Sequence, residues 1–251
     1  MREADRVETG RWLERHGLTG AEPTPLLATR LAVRRRARIA DSLLLAGFLI
    51  GAALAHVSGR ATSFWMPLLV VVLLSGQWLL GRWVRRADQR AGAQLSRRVA
   101  HPVQLGWRAV LGRPYAVFTV ASFAAALVLA VSVLPGADPV LRYGAIVVLI
   151  GLTGAGAGTI LQLRQVLASP AVAEDEVSLT ADVVMRVEDV RALVTPSLVW
   201  TLPAIFLYGT SFGWWNVVAL ALVVVGAVVL GLLQHRTACV GAAARQALAA
   251  R

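Results

Sequence analysis

Six apolar stretches, set between segments of very unequal arginine content, constrain this chain more than any other feature. They fall at Ser42–Val57, Phe64–Gly81, Tyr115–Leu134, Tyr143–Leu163, Pro196–Phe212 and Trp214–Leu233. Runs of about 18 to 20 residues cross roughly 30 Å of hydrocarbon at about 1.5 Å per residue; the two shortest extend inward as helix. Lipid offers no partner to a backbone N–H or C=O, so each crossing has to be a helix that satisfies its own polar groups. The expected fold is therefore all-α, a polytopic membrane protein of six transmembrane helices. Only 16% of the residues are charged and 57% are hydrophobic, whereas about a quarter of a soluble domain is charged.

All 25 basic residues are arginine. Residues 1–40 hold nine of them, 82–114 eight, 164–194 three and the tail after Leu233 three, while the remaining connections hold only Arg60 and Arg142. By the positive-inside rule this 23-to-2 split places both termini in the cytoplasm, in agreement with an even number of spans, which puts the termini on one side. The organisation that follows is a cytoplasmic N-terminal helical segment (1–40), a six-helix transmembrane domain (41–234) with cytoplasmic loops 82–114 and 164–194, and a cytoplasmic C-terminal tail (235–251). Short external connections pair the spans as three antiparallel hairpins with helical cytoplasmic extensions. Exclusive use of arginine, with Asn216 the single asparagine, points to a GC-rich bacterial origin and so to the bacterial cytoplasmic (inner) membrane. The net charge of +11 then serves attraction to a bilayer with anionic headgroups, not to nucleic acid. About forty residues precede the first span, too many for a signal-peptide n-region, so that span reads as an uncleaved helix.

Helix starts are legible. Thr24-Pro25, Ser169-Pro170 and Thr195-Pro196 each set an N-cap hydroxyl before a proline at the first helical position. They predict, in turn, a helix running through Arg34-Arg35-Arg36 into span one, a cytoplasmic helix, and the start of span five. Ahead of them, Asp5–His16 predicts a short helix closed by Gly17, with Trp12 and Leu13 as an apolar patch.

No span carries a central Asp, Glu, Lys, Arg or His. Such residues mark proton relays, ion paths and intramembrane catalysis, so an enzyme is not expected. Cys239 stands alone, which excludes an intrachain disulfide and a cysteine metal cluster; no cofactor is expected. The polar residues within the spans are Gln77, Thr153, Thr159, Gln162 and Thr201, candidates for a polar pathway or for interhelical contacts. Gly47 with Gly51, and Gly154 with Gly158, form GxxxG pairs that let helix backbones approach closely. The glycine run of span four has no lysine and no preceding strand, which excludes a phosphate loop.

The two long cytoplasmic arms differ in sign. Arg82–Arg113 is basic apart from Asp88, whereas the next arm carries Glu174-Asp175-Glu176, Asp182 and Glu188-Asp189. Leu179, Val183, Val187, Val190 and Val194 recur at spacings of four, four, three and four, one apolar helical face. Two uses are open to it: self-packing against the basic arm, or docking of a protein partner, with Glu174, Asp175 and Glu176 engaging basic residues.

Six spans with both termini inside, about 250 residues and a basic helix before the first span resemble ABC-2-type exporter permeases in architecture only. The resemblance implies a permease-like membrane subunit of a transport system. With no nucleotide-binding loop in the chain, energy has to come from a separate cytoplasmic partner, an ATPase or other protein. The alternative is a non-catalytic membrane scaffold or regulatory protein that recruits a cytoplasmic partner. Either is compatible with a homo-oligomer.

Overall fold

A computed structural model describes residues 3–18, 21–60, 63–93, 110–136, 138–169, 176–208, 213–236 and 240–242. The chain is all-α. The helices are α1 (Glu3–Arg15), α2 (Pro25–Val57), α3 (Trp65–Ala93), α4 (Arg113–Val133), α5 (Pro139–Ala168), α6 (Glu176–Val194), α7 (Ser197–Thr201) and α8 (Trp214–Arg236), with a 3₁₀ stretch, Leu202–Tyr208, continuing from α7. Five of them, α2, α3, α4, α5 and α8, are long and apolar enough to cross a membrane. Their outward faces leave Ile50, Leu54, Val71, Val120, Val128, Ile150 and Val224 exposed. Apolar surface on that scale is not left bare to water, and acyl chains cover it. The protein is an integral multi-pass membrane protein.

Local chemistry accounts for most helix boundaries. Thr24 caps α2 by accepting from the Leu27 N–H at 3.3 Å, with Pro25 at the first helical position. The 33 residues of α2 reach about 50 Å, so the helix continues well beyond the apolar run and carries the N-terminal arginines on its extension. Asp138 caps α5 by accepting from the Val140 N–H at 2.8 Å. Gly17, at φ 73°, closes α1, and the Leu18 N–H reaches back to the Leu13 carbonyl at 2.9 Å.

At Ser169 the hydroxyl donates back to the Gln165 carbonyl at 2.6 Å where α5 ends; α6 is described from Glu176, and Pro170 lies outside the described residues. One predicted start differs: the Thr195 hydroxyl donates to the Arg191 carbonyl at 2.8 Å, at the end of α6. The N-cap of α7 is Pro196, without a side-chain cap bond.

The predicted fifth span is likewise not one continuous α-helix. Five residues of α7 pass into seven of 3₁₀ helix, about 20 Å in all. Pro203 supplies the reason: it has no N–H to donate one turn back, and its ring crowds the carbonyl there.

Two cores result. In the membrane core, Val199, Leu202 and Ile205 of the broken helix pack among Phe48, Val70, Leu73, Leu129, Val148 and Leu152. A second core lies at the arginine-rich end, where α6 packs with Trp12 and Leu13 of α1, Leu31 of α2 and Tyr115 of α4. Among the glycines proposed for close packing, only one of each pair serves. A Cβ at Gly51 would lie 2.9 Å from Leu69 Cδ2, and one at Gly154 would lie 2.7 Å from Leu74 Cδ1. Gly47 and Gly158 face open space, which corrects the expectation that both members of each pair pack. The more crowded site on α5 is Gly151, where a Cβ would meet Leu202 at 3.0 Å and Val70 at 3.2 Å together. The 3₁₀ stretch therefore sits close against the α5 backbone.

Gly151→Leu is expected to lower the thermal midpoint of the protein in detergent, since overpacking a filled contact costs about 1–3 kcal/mol. Gly158→Leu is expected to leave the midpoint unchanged or slightly higher, because a helix-interior glycine costs about 1 kcal/mol relative to alanine. Equal destabilisation by the two variants would contradict this packing.

Candidate functional site

Helix periodicity brings Arg30 and Arg34 to one face of α2, where they meet carboxylates from two other helices. Arg30 Nε donates to Asp88 Oδ1 of α3 at 2.7 Å, and Arg30 Nη2 donates to Asp182 of α6. Arg34 donates to both oxygens of Asp88, at 3.0 and 2.7 Å, and to both of Asp189, at closest 2.7 Å. On α6 itself, Arg186 Nε donates to Asp182 Oδ2 at 2.9 Å and Nη1 to the Ser169 carbonyl at 2.6 Å. Three guanidinium groups thus balance three carboxylates, and the cluster ties α2, α3 and α6 together. Arg30, Arg34, Asp182 and Arg186 are all buried. Arginine suits the place because its planar fork spans two acceptors at once.

The acidic arm is used internally. Val183, Val187 and Val190 are fully buried in the second core and Leu179 packs against it, so this stripe is not an exposed docking face. Ala181, Val184 and Met185 are buried as well, and the helix is enclosed nearly all round. Sequence reasoning saw one face of α6; the run Val183-Val184-Met185 was the signal for the rest. Glu174 and Asp175, with residues 94–109 and Cys239, lie outside the described residues, as does the side chain of Glu176.

The N-terminal helix docks on α6. Trp12 and Leu13 enter the second core, Trp12 Nε1 donates to Glu188 Oε2 at 3.4 Å, and His16 Nε2 lies 3.3 Å from Glu188 Oε1. His16 Nδ1 faces the Trp12 carbonyl at 2.7 Å. Both ring nitrogens meet acceptors, an arrangement only the imidazolium satisfies fully. Burial pulls the His16 pKa down, but its hydrogen bonds to Glu188 and to the Trp12 carbonyl outweigh that and raise it. Burial pushes the Glu188 carboxyl up, and the bonds from His16 and Trp12 more than reverse this, leaving it lowered.

Beside the ion cluster lies a cavity of about 760 Å³, walled by α2, α3, α5, α6 and α7. Of the five polar candidates, Gln77, Thr159 and Gln162 line it. Gln77 Nε2 also donates to Asp41 Oδ1 at 2.9 Å, joining α3 to α2. Thr153 and Thr201 do not line it: their hydroxyls donate within their own helices, to the carbonyls of Leu149 and Ser197. Gly154 and Gly158 line the α5 wall, and Ser197, Leu198 and Val199 bring in the broken helix. Arg85 lines the α3 wall and has no hydrogen-bond or ion-pair partner among the described residues. It escaped the sequence reading because nothing local separates it from Arg82, Arg86 and Arg90. Among the described residues no three His, Cys, Asp or Glu side chains come together to hold a metal ion.

The arrangement offers a membrane-level chamber with fixed charges at one end and apolar walls beyond. No protein-family model matches this sequence, and no curated protein or solved structure matches it.

Two outcomes follow from the charges. Arg34→Ala strands Asp189 and leaves Asp88 to Arg30 alone, and breaking a buried pair costs about 3–5 kcal/mol. Since these carboxylates keep 23% and 26% exposure, the loss belongs at the lower end, read as a reduced thermal midpoint; Arg34→Lys should recover part of it. The docking of α1 should depend on pH in both directions. Because the folded His16 pKa is raised, its contribution is complete below its unfolded pKa of about 6.5 and fades as pH climbs through the raised value. The contribution of Glu188 is present above its unfolded pKa and is lost as pH falls through its lowered one. Hydrogen exchange, corrected for intrinsic rates, should show α1 protection declining by up to about fivefold above neutrality, as suits a pair worth roughly 1 kcal/mol. His16→Gln should flatten that limb.

Proposed function

We propose that this protein is a permease-like membrane subunit of a transport system, with both termini in the cytoplasm of a bacterial cell and with energy supplied by a separate cytoplasmic partner. The observation that carries the reading is the cavity of about 760 Å³. Its volume falls within the 300–1,000 Å³ typical of small-molecule sites, and its charged end belongs to the arginine-rich side of the bundle. The broken helix supports it too. Irregular backbone at membrane depth is tolerated where it is enclosed by protein or lines a cavity, and discontinuous helices commonly build transport sites. In this reading α7 and the 3₁₀ stretch belong to a sixth crossing, and α8 returns to the arginine-rich side. The enclosure of α6 removes the open apolar stripe on which a scaffold role would rest.

Affinity purification of the full chain from native membranes, with identification of bound proteins, should recover a nucleotide-hydrolysing partner in near-stoichiometric yield. Recovery of the chain with only non-hydrolysing partners would reject the permease reading. Cys239, the single cysteine, is a built-in topology probe: membrane-impermeant maleimide should label it only after the cells are opened, whereas Ala137→Cys should react in intact cells.

A further inference from the structure

Once the internal ion pairs are counted, the walls of the cavity divide sharply. Arg30, Arg34 and Arg186 are taken up by Asp88, Asp182 and Asp189. Glu188 is engaged by Trp12 and His16, and Asp41 accepts from Gln77. Arg38 also lines the α2 wall, where its charge acts on Glu188. On the opposite wall, between α3 and α5, a guanidinium and an amide come together. Arg85 and Gln162 both line the cavity, and neither has a partner among the described residues. They converge: a Cβ placed on Gly81 would lie 2.5 Å from Gln162 Oε1 and 3.2 Å from Arg85 Nη1. Arg85 is only half-buried, with Arg82 one turn away occupied over the Trp78 ring at 4.5 Å.

The depth of these groups matters as much as their charge. Trp65 opens α3 at the other end of the bundle, and Arg85 lies twenty residues on, about 30 Å along the helix. That is the thickness of the hydrocarbon layer, which puts Arg85 at headgroup level. From there the cavity continues inward to Leu74 and Phe123. Leu74 is eleven residues from Arg85, about 16 Å, or half the bilayer. The way in is from the flank: Trp78 and Leu161 both line the cavity and are 41% and 53% exposed. Gly158 leaves open space on that wall.

We propose that this cavity takes an amphipathic phosphate ester drawn from the arginine-side leaflet, its phosphate between Arg85 and Gln162 and its acyl chain along Leu74, Trp78 and Phe123. A guanidinium pairs two phosphate oxygens through parallel N–H donors, and the Gln162 amide, once turned to bring Nε2 in place of Oε1, adds another donor. The apolar depth matches one leaflet, so a free phosphate ester would leave most of the chamber unused. This rests on the permease reading, in which the amphiphile is the transported molecule.

The test uses the full chain in phosphatidylcholine vesicles doped with phosphatidic acid bearing a photoreactive diazirine in its acyl chain. Crosslinks should map to residues 74–78 of α3 and 154–161 of α5. Diazirine-labelled phosphatidylcholine should label these segments at least fivefold less. Arg85→Gln should cut labelling by phosphatidic acid at least fivefold, and Gly158→Leu should do so by filling the space, each with an unchanged thermal midpoint. Wild-type labelling in both variants, or equal labelling by the two lipids, overturns the proposal. Absent crosslinks combined with a rise in the wild-type thermal midpoint in millimolar glycerol phosphate would also overturn it. Site-mapped, charge-dependent crosslinking in a protein that recovers no hydrolysing partner keeps the binding site and removes the transport reading. A hydrolysing partner without crosslinking does the reverse.

Discussion

The salt-bridge cluster of Arg30 and Arg34 with Asp88, Asp182 and Asp189 is the constraint on which the arginine-rich half of the molecule depends. Within the bilayer, helices associate through close packing of small residues and shape, as at Gly51 and Gly151. Beyond it, α2, α3 and α6 need another reason to stay together. A buried guanidinium is tolerable only with its carboxylates in place, because an isolated charge in a low-dielectric interior costs several kcal/mol. Arg34, reaching Asp88 on one helix and Asp189 on another, therefore sets the register of three helices at once. Such a cluster adds specificity of arrangement more surely than net stability.

That arrangement also shapes the cavity. With Arg30 and Arg34 paired, the α2 and α6 walls present a nearly balanced surface apart from Arg38, and Arg85 across from them, beside Gln162, is placed to meet an anion. The same geometry couples the ends of the site. Only Thr195 and Pro196 separate α6 from α7, so any shift of α6 in its ion-paired seat passes directly to the broken helix. The 3₁₀ stretch rests in turn on α5 at Gly151. A rigid α-helix through this region would have needed Pro203 to donate a bond it cannot make.

Membrane class, the five long apolar helices, the extension of α2 beyond its apolar run and the terminus of α1 were all legible in the order of the residues. They rest on local rules: length against bilayer thickness, hydroxyl and proline at helix starts, glycine at a helix end. The interruption of the fifth apolar run was present as Pro203 but hidden by its hydropathy, since a window average does not register a single missing donor. The GxxxG pairs were visible as spacing, yet spacing cannot say which member meets a neighbour. Gly154 meets Leu74 while Gly158 meets nothing, because the two lie at different heights relative to α3.

What the sequence determined by itself was the solvent in which this chain folds and the position of its charges relative to that solvent. Both follow from transfer free energies and a fixed rise per residue, which act residue by residue. Tertiary structure decided which charges cancel. Arg30, Arg34 and Arg85 are the same side chain, each on a helical extension beyond an apolar run. Two of them find carboxylates 54 to 155 positions away, and the third lines a cavity. Pairing at such separations depends on helix rotation and packing across the bundle, and no periodicity within one segment encodes it.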